Sequence, residues 1–183
     1  MEVKGVVLKN QKRFVKDRYG EKGWEDLTGE LDEESAEVLQ ETILESSWYP
    51  YGHFREMNEK VSEVFDGEDS VRELGRYDTE KALSGVYSIW AKFSSPQGLA
   101  KRAPEIFNKH YRPIEVEVVE NREDRGVLRL YGFPEDDELV EKLISGNLEK
   151  GSSMVGAGDP EVEIAASVTS GDEYTEFKVD YDG

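Results

Sequence analysis

Glu161-Val162-Glu163-Ile164-Ala165-Ala166-Ser167-Val168-Thr169-Ser170-Gly171-Asp172-Glu173-Tyr174-Thr175-Glu176-Phe177-Lys178-Val179-Asp180-Tyr181 is the stretch whose reading decides the fold. Val162, Ile164 and Ala166 alternate with their neighbours in the first run, and Thr175, Phe177 and Val179 alternate with Tyr174, Glu176 and Lys178 in the second. Such alternation buries one face of a strand, and a Gly-Asp pair supplies the left-handed backbone that a tight hairpin needs. The C-terminus is therefore read as an antiparallel hairpin turning at Gly171-Asp172.

The same period of two extends upstream. Ile114, Val116 and Val118 share one face, and Val127, Arg129 and Tyr131 alternate with Leu128 and Leu130, the two runs being joined by a charged turn over Glu120 to Arg125. Pro134 to Glu149 follows as a helix through Leu139, Leu143 and Leu148, and Gly151 to Gly158 reads as a flexible loop. Before Pro113 the period is helical. A first strand, Val3 to Leu8, precedes a helix at about 10–19 with Phe14, Val15 and Tyr19 on its buried stripe and Gly20 as its stop. Leu31 to Leu44 forms the next, capped by Asp32 or Ser35, and Pro50 opens a third that carries Phe54, Met57, Val61, Val64 and Phe65 and ends at Gly67. Ser70 caps a longer helical region reaching about Phe93, and Ser95-Pro96 starts another to Phe107 or Tyr111 that Pro104 kinks or restarts. Gly75 and Gly85 each cost about 1 kcal/mol relative to alanine unless close packing uses the missing side chain. The expected architecture is α+β, a single domain over 1–183, with a helical layer (about 9–111) packed on a C-terminal antiparallel sheet (about 112–183, with one helix).

Composition narrows the function. Forty-one acidic against 23 basic side chains give a formal charge of −18, a field that repels nucleic acid and anionic membrane surfaces. There is no cysteine, so thiolate nucleophiles, disulfides, iron–sulfur clusters and cysteine-ligated zinc are excluded. The start Met1-Glu2-Val3-Lys4-Gly5 lacks a signal-peptide pattern, and no apolar run reaches the roughly 18 residues of a membrane span, so a cytoplasmic location is expected.

Gly171-Asp172-x-x-Thr175-x-Phe177-x-Val179 resembles the ending of the 4-vinyl-reductase-like ligand-binding domains, which are related to the haem-nitric-oxide-binding (H-NOX) proteins. Lys4-Gly5-Val6, Arg18-Tyr19-Gly20 with Gly23-Trp24, Trp48-Tyr49-Pro50, Leu74-Gly75-Arg76 and Ser95-Pro96 extend the likeness over nearly the whole chain, particularly to bacterial proteins described as haem-NO-binding-associated. The resemblance implies a helical layer, a curved sheet and a ligand pocket between them. It also implies a test for haem, since H-NOX proteins carry an axial histidine on a helix and a Tyr-x-Ser-x-Arg signature for the propionates. That signature is missing here; His53 and His110 are the only histidines, and His110 is the candidate axial ligand for the haem reading. Related domains hold zinc through cysteines eight residues apart around the Gly-Asp turn, with an acidic ligand; Ser167 and Thr175 stand at those positions, so the zinc is expected to be lost and the hairpin held by its own hydrogen bonds and packing.

Enzyme signatures are lacking. There is no Gly-x-Ser-x-Gly elbow, the Gly151 to Gly158 segment lacks the Gly-Lys-Ser/Thr ending of a phosphate loop, and Asp66-Gly67-Glu68-Asp69 lacks the ligand spacing of a calcium loop. Neither a cofactor nor a metal is expected. The aromatic residues of the helical half supply the candidate ligand wall: Trp48, Phe54, Tyr87, Trp90 and Phe107, with core packing as the alternative role for each. The expected function is non-enzymatic binding or sensing of a small apolar or aromatic ligand without haem. A protein–protein interaction module, acting as a homodimer or with a signalling partner, is the alternative, and a haem-based gas sensor the lesser one.

Overall fold

The change of period near Pro113 is the change from helices to sheet in the computed structural model, which describes residues 1–65, 67–84, 88–92 and 94–181, with Trp90 described by its backbone alone. In chain order the elements are β1 (Glu2–Lys4), α1 (Gly5–Thr28), α2 (Glu33–Gln40), β2 (Trp48–Pro50), α3 (Tyr51–Val64), α4 (Glu68–Ser84), α5 (Ser88–Ala91), α6 (Pro96–His110), β3 (Tyr111–Arg112), β4 (Glu115–Asn121), β5 (Arg125–Tyr131), α7 (Glu138–Met154), β6 (Glu161–Ala166) and β7 (Thr175–Asp180).

The larger sheet is antiparallel with strand order β4-β5-β7-β6. Its register sets Val116 opposite Leu130, Val118 and Phe177 opposite Leu128, and Ile164 opposite Phe177, so one face is apolar from edge to edge. Glu117, Arg129, Glu176, Lys178 and Glu163 occupy the other, which faces solvent as antiparallel sheets commonly do. α6 packs on β4 and β5, α7 on β6 and β7, and α4 lies on α7. The core runs continuously from Leu8, Val15, Phe54, Met57 and Leu74 in the helices to Leu128, Leu130 and Phe177 in the sheet.

Several boundaries differ from the expected ones, each for a local reason. The run after Lys4 is helical and not a strand, because Val7, Leu8, Gln11, Phe14 and Val15 form one buried stripe at spacings of three and four. Gly20 does break helical geometry, with φ +75°, but the chain resumes the helix and buries Gly23, Trp24 and Leu27. α2 is shorter than its periodicity suggested and is capped by Asp32, whose carboxylate accepts from Ser35 N at 2.7 Å. Ser70 lies inside α4 and donates to Val61 O at 3.1 Å instead of capping. α6 continues as one helix through Pro104. The expected loop at Gly151 is the last turn of α7, where Gly151 and Ser152 are buried. Gly171 adopts the left-handed conformation at φ +96°, but it caps a short 3₁₀ turn (Val168–Ser170), so residues 167–174 make a longer connection than a tight hairpin. The start of the expected first strand, Val3 and Lys4, belongs to β1 of a second, three-stranded sheet, β2-β1-β3, whose other two strands had no sequence counterpart; the sheet ties both ends of the helical half together by pairing Val3 with Tyr49 and with Tyr111.

Candidate functional site

Spacings of three and four place charged and aromatic side chains along one face of each of three helices. Phe14, Asp17 and Arg18 of α1, Glu73, Arg76, Tyr77 and Glu80 of α4, and Glu149, Lys150 and Ser153 of α7 meet around an open cleft of about 630 Å³, which Asp159 and Pro160 also line. Its apolar floor is Phe14, which is buried and meets Tyr77 edge-on at 5.5 Å between ring centroids. The Tyr77 hydroxyl donates to Asp17 Oδ2 at 2.6 Å, and Lys81 Nζ stands 3.5 Å from the same oxygen. That hydrogen bond, with the Lys81 and Arg13 charges, holds the Asp17 carboxyl below the usual range, while burial and the Asp17 acceptor push the Tyr77 hydroxyl up. The wall formed by α4 and α7 is locked by Glu149, which takes both Arg72 and Arg76, the latter at 2.7 Å, and by Lys150, 2.8 Å from Glu80. Backbones touch beneath these pairs: a Cβ on Gly75 would overlap the Leu143 carbonyl, and one on Gly146 the Arg72 carbonyl.

A second open cleft, about 760 Å³, lies between α2 and α3, and Glu34, Glu56, Glu59 and His53 line part of it. His53 is buried there, with Nδ1 2.9 Å from Ser35 Oγ.

Of the aromatic residues expected to form a ligand wall, the described ones divide between the core and the small sheet. Phe54 is fully buried and Phe107 nearly so, both in the core around Tyr111, with centroid separations of 5.7 and 6.3 Å. Phe133 and Tyr51 complete that aromatic cluster. Trp48 sits on the small sheet, half-buried, between Lys4 Nζ at 4.0 Å and the Arg112 guanidinium at 4.2 Å. Tyr87 lies outside the described residues, as does the side chain of Trp90. Sequence reading missed the cleft because it placed Phe14 and Tyr77 on buried stripes; the signal was the charged residues at i+3 and i+4 beside them.

Known structures share this arrangement almost end to end. An H-NOX protein from S. oneidensis in its Fe(II)NO ligation state superposes with a TM-score of 0.73 at 13% identity, covering 98% of this chain and 99% of that one. The Fe(II) unliganded H-NOX protein from K. algicida gives 0.74 at 11% identity, covering 98% of this chain and 97% of that one. The chain has the H-NOX fold. No family model matches it, and no curated protein does.

The H-NOX fold implies haem, which needs an imidazole carried inward on a helix and donors for the propionates. α6 turns Ala100, Ala103 and Phe107 to the core instead. His110 is its last residue, with Nδ1 2.8 Å from Ile106 O. Beside it the interior is filled by Tyr111, Phe54 and Phe133, whose rings are in contact. Tyr131 is followed by Gly132-Phe133-Pro134-Glu135, without the serine or arginine of the propionate signature. The residues present do not fit a haem.

Ser167 and Thr175 do come together, and the acid that joins them is Glu141 of α7. Ser167 Oγ donates to Glu141 Oε1 at 2.8 Å and Thr175 Oγ1 to the same oxygen at 2.6 Å, all three residues being buried. Beyond the hairpin's own hydrogen bonds and packing, the connection is thus pinned to α7 through the carboxylate. Hydroxyls already committed to a carboxylate, without a thiolate, do not fit a zinc site.

Proposed function

We propose that this chain is a haem-free, non-enzymatic binding or sensory module of the H-NOX fold, cytoplasmic, which takes a small molecule in the cleft between α1, α4 and α7. The observation that carries the reading is the cleft itself: an aromatic floor, walls fixed by ion pairs, and a volume of about 630 Å³ within the range of small-ligand sites. Native and denaturing mass spectra of freshly purified protein, recorded with the visible absorption spectrum, test it. A non-covalent adduct without a Soret band is expected; an adduct with a Soret band would contradict it.

A second reading, an interaction module acting as a homodimer or on a signalling partner, is favoured by Ile89 on α5 and Leu44 before β2, which are 74% and 60% exposed. A bare dimer in the same spectra, carrying no adduct, would select it. No described helix is long and apolar enough to cross a membrane.

A further inference from the structure

The charges of the α1–α4–α7 cleft divide into those spent on protein partners and those left over. Glu149 is taken by Arg72 and Arg76, Glu73 by Arg76, Glu80 by Lys150, and Asp17 by Tyr77, Lys81 and Arg13. Two side chains lining the cleft have no partner among the described residues: the Arg18 guanidinium from α1 and the Asp159 carboxylate from the loop after α7. One free cation and one free anion thus face a cavity whose remaining surface includes Phe14, Tyr77 and Pro160.

From this pairing we infer that the cleft takes a zwitterion, a small molecule with one carboxylate, one ammonium and an apolar side group, of which an aromatic amino acid is the simplest example. The inference rests on the reading of this cleft as the ligand site. Arg18 presents a planar fork of donors that matches a carboxylate, and Asp159 supplies the counter-charge for the ammonium. The side group lies against the Tyr77 ring, which the buried Phe14 backs edge-on. A simple anion would enter a chain of charge −18 past five lining carboxylates, and a simple cation would leave Arg18 facing it unpaired. A zwitterion meets both free groups and brings no net charge. The spent pairs do the other half of the task, because they hold the α4–α7 wall in place and remove its charges from competition.

The test is a ¹⁵N-resolved NMR titration of the full chain with four probes: L-phenylalanine, 2-phenylethylamine, 3-phenylpropanoate and benzyl alcohol. Phenylalanine is expected to shift resonances of α1, α4 and the 156–160 loop, and to bind about two- to fivefold more tightly than either single-charge probe, the range for exposed ion pairs. Arg18→Gln should remove that advantage over 2-phenylethylamine and leave 2-phenylethylamine itself unchanged. Asp159→Asn should do the converse with 3-phenylpropanoate. Both side chains are exposed, so neither variant threatens the fold. Equal affinities for phenylalanine and a single-charge probe, or a ranking that neither variant moves, would overturn the zwitterion. Binding of benzyl alcohol as tightly as phenylalanine would also overturn it while leaving the ligand site standing. No shift at the cleft with any of the four probes would overturn both.

Discussion

Replacing Gly75 by alanine is expected to destabilise the fold by about 2 kcal/mol, although alanine is the better helix former by about 1 kcal/mol. A Cβ at Gly75 would overlap Leu143 O and lie 2.9 Å from Leu143 C and 3.1 Å from Asn147 N, all of them backbone atoms of α7. Unstrained contacts need about 3.5 Å or more, so the two helices must part by roughly 1 Å. No side-chain rotation relieves a backbone contact, which puts the cost at about 3 kcal/mol, the upper end of overpacking, before the helix-propensity credit. Gly146→Ala strikes the same crossing from the other side, against Arg72 O and Arg72 C, so it should cost a similar amount and combine with Gly75→Ala less than additively. Gly52 in α3 is the control, since a Cβ there meets nothing within 4 Å, and Gly52→Ala should stabilise by up to about 1 kcal/mol. Urea unfolding followed by circular dichroism reads the difference. With a slope of about 2 kcal/mol per molar, Gly75→Ala lowers the midpoint by roughly 1 M. A Gly75→Ala midpoint equal to or above that of the parent chain would refute the close crossing of α4 and α7.

Glu141→Ala should cost about 2–4 kcal/mol, because it leaves the buried Ser167 and Thr175 hydroxyls without their acceptor, whereas Glu141→Gln keeps an acceptor and costs about 1; thermal melts of the pair separate the two cases. Asp78 accepts from Asn10, and burial raises its carboxyl above the ordinary range, with the His110 charge acting in the opposite direction. Its protonated form is the one the fold favours, so its stabilising contribution is full below the ordinary carboxylate value and is lost as pH rises through the raised one. Asp78→Asn is therefore expected to unfold at higher urea than the parent at neutral pH, with the gap closing as the pH falls; a gap that widens on acidification would show the sign to be wrong. Phe54→Ala should cost about 3–5 kcal/mol as a fully buried core truncation, and Trp48→Ala only about 1, for its contacts with Lys4 and Arg112. Equal losses in denaturant would place Trp48 in the core.

The sheet was legible because its alternation survives burial: Phe177, Leu128 and Leu130 fall on the face that their spacing assigned. Helices were legible where polar residues interrupt the apolar ones, as in α3. The N-terminal helix was misread because Val3 to Leu8 is apolar except for Lys4, and a short apolar run fits a strand or a buried helix equally well. Apart from Val3 and Lys4 in the expected first strand, the small sheet was invisible because its strands are two or three residues long and join Val3 to Tyr49 and to Tyr111, far along the chain. Gly75 looked like a weak point of a helix until its partner Gly146, 71 residues away, came into view. The cleft was hidden for a related reason. Arg18 and Asp159 look like ordinary surface charges in sequence, and only the pairing of their neighbours sets them apart.

The measurement that bears most directly on a haem-free H-NOX fold is a haemin titration of the purified chain under reducing conditions, followed by absorption and native mass spectrometry, with His110→Ala alongside. The expected result is a spectrum equal to the sum of free haemin and protein, no one-to-one haem adduct, and no difference between the parent and His110→Ala. A saturable one-to-one complex with a sharpened, shifted Soret band that His110→Ala abolishes would contradict it, because the interior around Tyr111 would then have to open to admit the porphyrin.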